Sequence, residues 1–161
     1  MEVYREKPPN LKFLKRIRNF CNKNNIVLIF DECTSAFRES YGGIHLKYKI
    51  YPDLLMLGKA MGNGYPITAI LGKKKFLKCA SKTFISSTFW TEKSGIIAAL
   101  ETLKIMKKDK TYLKVKKNGL KIKKIWRELS IRYDIPISIS GLDSIPSFKF
   151  LGNHSNRFKT Y

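Results

Sequence analysis

Cysteine is scarce in this chain, and so is negative charge. Cys21, Cys33 and Cys79 are odd in number and show no C-x-x-C spacing, which argues against both a disulfide framework and a zinc site. Reduced thiols point to the cytoplasm. So does the N-terminus "MEVYREKPPN", which lacks the charged, apolar and cleavage-site succession of a signal peptide. No apolar run approaches the roughly 20 residues that a membrane-spanning helix needs, so no membrane partner is expected. The histidines, His45 and His154, have no ligand-spaced neighbours. Both are expected at the surface, without a metal.

Only 12 acidic residues oppose 32 Lys and Arg, leaving a net charge of +20. Such a balance can mark a nucleic-acid surface, but lysine is scattered through every segment. Its densest run, "LKIMKKDKTYLKVKKNGLKIKKIWREL", surrounds an apolar stripe of Val115, Ile122, Trp126, Leu129 and Tyr133. The stripe has helical spacing, so these lysines read as the wet side of an amphipathic helix. A basic nucleic-acid-binding module is the alternative from another class. It would need aromatics interleaved among the lysines of one face, and Trp126 and Tyr133 fit the stripe better.

With 161 residues, 43% of them hydrophobic, the chain is long enough for one core. Asn10 is placed to cap a helix over 11–23, whose Leu14, Ile17 and Cys21 share a face. "IVLIF" at 26–30 reads as a strand covered on both faces, hence part of a parallel sheet. "LLML" at 54–57 repeats the pattern, and "ITAIL" at 67–71 follows the turn "GNGYP". Helices are expected over 93–108 and about 110–133, with a short C-terminal strand near "ISIS" or "SFKFL".

The stretch "LIFDECTSAFRESYGG" drives an apolar run into two carboxylates, Asp31 and Glu32. In an open parallel sheet the ligand crevice lies beyond the carboxyl ends of the strands, so Asp31 faces it. The run "LLMLGKA" places Lys59 at the carboxyl end of a neighbouring strand. An acid and an amine thus converge. Gly58 lets backbone approach a ligand, and Gly62 and Gly64 permit a tight loop after the lysine. The plainer readings are a loop-capping Asp and one more surface Lys.

These residues carry a resemblance. "LIFDECTSAFRESYGG", "YPDLLMLGKAMGNGYPITAILG" and "SSTFWTEKSGIIAALETLKIM", in that order, resemble three motifs of class III aminotransferases, pyridoxal-phosphate enzymes of fold type I. The glutamate-1-semialdehyde aminomutase-like branch is the most similar. The resemblance runs from about residue 1 to residue 130. It implies an α/β fold: part of the large cofactor-binding domain with a mainly parallel sheet over 1–108, then a connecting helix and the beginning of the small C-terminal domain over 109–161.

The family's residues transfer position by position. Asp31 matches the carboxylate that bonds the pyridine nitrogen of pyridoxal 5'-phosphate and maintains the electron sink. Lys59 matches the lysine that forms the internal Schiff base and then moves the proton. Cys33 matches a small apolar position, usually Val, beneath the cofactor ring, while Thr34 stands where the family often has Gln or Met near the ring hydroxyl. Thr88 matches a threonine that contacts the cofactor phosphate, typically across the interface into the neighbouring subunit's site. The resemblance therefore implies a homodimer, and exchange of amino and carbonyl groups on a small-molecule substrate.

Ala36 departs from the family, standing where a glycine is usual. Relatives also extend well beyond 161 residues on both sides, so the resemblance implies a fragment. It would lack the same-subunit phosphate loop, the ring-stacking aromatic and most of the small domain. A catalytically inactive truncated fragment is accordingly the second reading.

Overall fold

The computed structural model describes residues 9–90 and 92–152. Asn10 caps the first helix, α1 (Leu11–Lys23), its side-chain oxygen accepting the Phe13 amide at 3.1 Å. Leu14 packs against the core and Cys21 is buried, as the spacing requires. Asn24 and Asn25 end the helix, Asn25 in the left-handed region at φ 55°.

The first strand, β1 (Ile29–Asp31), is shorter than the expected 26–30. The residues before it are engaged elsewhere. The Ile26 amide returns to the Cys21 carbonyl at 2.9 Å, and the Leu28 amide goes to the Asp53 carboxylate at 2.9 Å. The chain passes through α2 (His45–Tyr48) into β2 (Leu54–Leu57), then a single 3₁₀ turn (Lys59–Met61) and β3 (Ala69–Gly72). After α3 (Lys74–Leu77) come two long helices, α4 (Lys93–Asp109) and α5 (Thr111–Arg132). Both agree with the helical periodicity to within a residue or so.

The strand order is β1-β2-β3, with β1 parallel to β2 and β2 antiparallel to β3. A mainly parallel sheet was expected, and this small sheet is mixed. The reason is connection length: residues 58–68 are fewer than the dozen or more that a parallel crossover takes, so β3 returns antiparallel. Coverage also differs from expectation. Phe30, Leu55 and Leu57 are buried with Ala36, Phe37, Ile50 and Met61, but Ile29 is 51% exposed. On that face Met56 and Ile70 are exposed too, so among the described residues the sheet is covered on one side.

Both candidate C-terminal strands form, and they pair with each other. β4 (Ile137–Leu142) and β5 (Ile145–Phe150) make an antiparallel hairpin against α5. Trp126 meets Phe148 edge-on at 4.9 Å between ring centres, so this aromatic is spent on packing rather than presented among lysines. The stripe assigned to α5 needs correction. Val115, Ile122, Leu129 and Tyr133 are exposed, while the hairpin side buries Gly119 and Lys123. One lysine of the supposed wet face therefore points inward.

Two buried carboxylates tie the elements together. Asp53 accepts from Arg18 of α1 at 2.8 Å, the Leu28 amide before β1, and Lys73 after β3 at 2.6 Å. Burial opposes its charge, yet the Lys73 ammonium, the Leu28 amide and the Arg18 guanidinium outweigh that. They hold its carboxyl far below the usual carboxylate range. Glu32, 0% exposed, accepts from the His45 amide at 3.0 Å and lies 3.1 Å from His45 Nδ1. His45 is thus buried and partnered, against the surface position expected of it; His154 lies outside the described residues. No helix among the described residues is long and apolar enough to cross a membrane, and no group of metal-ligating side chains assembles among them.

Two stability measurements check these anchors. Asp53→Asn lowers stability by about 2–3 kcal/mol, the range for hydrogen bonds to charged groups, read as a shift of the urea midpoint. The folded carboxyl titrates below its unfolded counterpart, which titrates near pH 4. Its contribution is therefore complete above about pH 4 and lost as pH falls further. The native chain loses stability more steeply in that acid window than Asp53→Asn, and equal slopes would contradict the pairing. Glu32→Ala strands the His45 amide in the interior and costs about 2–3 kcal/mol; an unchanged melting curve would show that the pair carries no weight.

Candidate functional site

Because β1 and β2 are parallel, their carboxyl ends lie on one edge. Asp31 is in register with Met56, and the ladder continues one step further as the Glu32 amide donates to the Met56 carbonyl at 3.0 Å. Asp31 and Lys59 leave the sheet at that same edge, as the sequence implies. Asp31 is exposed, and its Oδ1 accepts the Cys33 amide at 3.0 Å. The carboxylate therefore does cap its own loop, while standing open to solvent.

Cys33 bridges the two strand ends. Its Sγ is 3.5 Å from where a Cβ on Gly58 would stand, so the small thiol and the missing side chain let the two segments approach. Lys59 follows in the left-handed region at φ 44°, a conformation that costs a non-glycine residue about 1 kcal/mol or more. The turn holds it there: the Lys59 carbonyl accepts the amides of Gly62 at 3.1 Å and Asn63 at 3.0 Å. Its Nζ contacts the Thr34 hydroxyl.

Lys59 also lines an open cavity of about 540 Å³ with Arg38, Asn63, Thr102, Met106 and Thr111. Asp31, Cys33 and Thr88 are not part of that lining. Arg38 is held by a bond from its Nε to the Thr34 carbonyl at 3.3 Å. The buried Glu32–His45 pair carries no local sequence signal, since its members are thirteen residues apart and are brought together by the path of the loop after β1.

Thr88 is exposed in the turn 88–90, ahead of α4 rather than at its first residue. The amides that open α4 are already taken. Glu92 caps the helix by accepting from the Ser94 amide at 3.0 Å, the Ser94 hydroxyl at 2.6 Å and the Gly95 amide at 3.2 Å. Those bonds, that from the Ser94 hydroxyl foremost, hold the Glu92 carboxyl below its usual value. An anion at Thr88 would have to be met by its hydroxyl and the turn, without the help of a helix start.

The sequence matches the family Aminotransferase class-III over residues 7–158. It is 34% identical over 156 residues to the 3-aminobutyryl-CoA aminotransferase of Cloacimonas acidaminovorans, covering 94% of this chain and 37% of that protein. It is 35% identical over 145 residues to the glutamate-1-semialdehyde 2,1-aminomutase of Wigglesworthia glossinidia brevipalpis, covering 88% and 33%. Among solved structures, the FumI protein of Sphingopyxis sp. MTA144 in its PLP internal aldimine form superposes with a TM-score of 0.87 at 26% identity, covering 96% of this chain and 37% of that one. The ornithine aminotransferase of Plasmodium yoelii, at a TM-score of 0.74 and 21% identity over 89% of this chain and 39% of its own, shares the fold. The chain spans about a third of the length of these relatives. With the match running through both strand ends that carry Asp31 and Lys59, it belongs to the class III aminotransferases, a family of aminotransferases and aminomutases that use pyridoxal phosphate.

Proposed function

We propose that this chain carries the central part of a pyridoxal-phosphate-dependent aminotransferase or aminomutase, which exchanges amino and carbonyl groups on a small substrate. The observation that carries the reading is the placement of an exposed carboxylate, Asp31, and of Lys59 at the carboxyl ends of two neighbouring parallel strands, with Cys33 Sγ beside Gly58. The donor set fits the cofactor: an acid for a ring nitrogen, an amine for an aldehyde, and at Cys33 and Gly58 a place where only small groups stand. Bound there, the cofactor would supply an electron sink for the charge left when a proton leaves the substrate carbon.

The residues of the chain have separate duties. Asp31, open to solvent and fixed in orientation by the Cys33 amide, presents a negative charge that keeps a ring nitrogen protonated. Lys59 supplies the amine nucleophile and afterwards holds and moves a proton at Nζ. The Thr34 hydroxyl orients that amine through their contact. The turn that fixes Lys59 at positive φ leaves its side chain as the mobile part, which suits a group that must swing between two carbons. Thr88, exposed and apart from its own helix start, suits the reading in which it reaches the cofactor phosphate in a neighbouring copy. That copy would be the second subunit of a cytoplasmic homodimer.

The test is a titration of the purified chain with pyridoxal phosphate, followed by borohydride reduction and peptide mapping. Label concentrates on Lys59, and Asp31→Ala reduces it about tenfold or more, the loss expected for one charge-assisted contact. Label spread evenly over surface lysines, unchanged in Asp31→Ala, would show that these residues form no cofactor site.

A further inference from the structure

The loop that follows β1 ends in an interaction that neither the strand edge nor the family motifs explain. Glu39 has a side chain only 2% exposed, and its Oε1 accepts the backbone amide of Asp143 at 2.8 Å. Its other carboxylate oxygen meets the Lys47 ammonium. Asp143 lies in the turn between β4 and β5, so the bond joins segments 104 residues apart. A carboxylate taken this far out of water is retained only with charged or amide partners, and bonds of that kind are about twice as strong as neutral ones.

The same turn is gripped from the opposite side. Lys123 of α5, 8% exposed, donates to the Gly141 carbonyl at 2.9 Å and to Asp143 Oδ1 at 3.0 Å. One helical turn earlier, α5 runs so close that a Cβ on Gly119 would stand 1.6 Å from the Asp143 carbonyl oxygen. No side chain fits there. The hairpin turn is therefore seated between α5 and the β1 loop, with Leu142 beside it 1% exposed. Glu39 is adjacent in sequence to Arg38, which is bonded to the Thr34 carbonyl and lines the Lys59 cavity. Thr34 in turn contacts the Lys59 amine. The path from hairpin to lysine is thus a continuous series of hydrogen bonds and one short stretch of chain.

We propose that Glu39 is a positioning residue: it latches the β4–β5 turn to the loop bearing Thr34 and Arg38, so that seating of the C-terminal hairpin and placement of the Lys59 amine are coupled. Its consequence for cofactor attachment rests on the pyridoxal-phosphate reading. The latch itself does not, so the two can fail separately.

Hydrogen exchange of the whole chain, read by mass spectrometry, tests the latch, with acylation of Lys59 by acetic anhydride as a second readout. In Glu39→Ala, segments 141–145 and 33–43 both exchange about tenfold or more faster, the size expected for one charge-assisted hydrogen bond, and the acylation rate of Lys59 changes with them. Glu39→Gln keeps an oxygen for the Asp143 amide and restores both segments and the Lys59 rate. Faster exchange at 141–145 alone, with 33–43 and Lys59 as in the native chain, would overturn the coupling. Glu39→Gln behaving like Glu39→Ala would overturn the amide latch in favour of the Lys47 ion pair. Should Glu39→Ala unfold the chain, Lys123→Met loosens the turn from the α5 side; segment 33–43 must then speed up as well, and its remaining unchanged would overturn the proposal. Coupled exchange without cofactor label at Lys59 would uphold the latch and reject the cofactor reading, and the reverse pattern would do the opposite.

Discussion

One carboxylate sets the geometry on which the site depends. Asp53 receives Arg18 from α1, the amide of Leu28 just before β1, and Lys73 just after β3, while its own backbone leads into β2. That junction braces the amino ends of β1 and β2, where the Asp53 and Leu54 amides also donate to the Leu28 carbonyl at 2.7 and 3.2 Å. With it, their carboxyl ends arrive together, and Asp31 and Lys59 leave the sheet on the same edge. Desolvation is the cost of placing a charge there, and three donors offset it.

A second layer of polar contacts shapes what leaves that edge. Glu32 turns inward to His45 while Asp31 is exposed, so the two adjacent acids have opposite fates: one is buried under the loop, the other caps the loop from the solvent side. The loop between them and Tyr41 then carries Thr34 to the lysine amine and Glu39 to the distant hairpin. A strand that ends in acid is thus both a wall of the site and the root of the loop that organises it.

Much of this was legible in the sequence where one physical signal dominated. Helical periodicity located α1, α4 and α5, and branched apolar runs located β1, β2 and β3, although most of the stripe read on α5 is exposed and the helix buries Gly119 and Lys123 instead. Asp31 and Lys59 were legible because both terminate such runs. What stayed hidden depended on distance along the chain. Lys123 looks like its neighbours, and only the carbonyl of Gly141 and the carboxylate of Asp143 make it an inward residue. His45 carried no partner within reach in sequence; its acceptor is Glu32, thirteen residues earlier. The mixed sheet followed from the shortness of residues 58–68, a constraint visible in the sequence that the apolar pattern of the strands does not express.

On the proposed reading, Asp31 and Lys59 form one chiral setting for an aromatic aldehyde cofactor. Visible-region circular dichroism of the chain during a pyridoxal phosphate titration tests it most directly, because the free cofactor is achiral and gives no signal. A saturable band that is absent in Lys59→Met is the outcome this account predicts. No band at any concentration, or the same band in Lys59→Met, would contradict it.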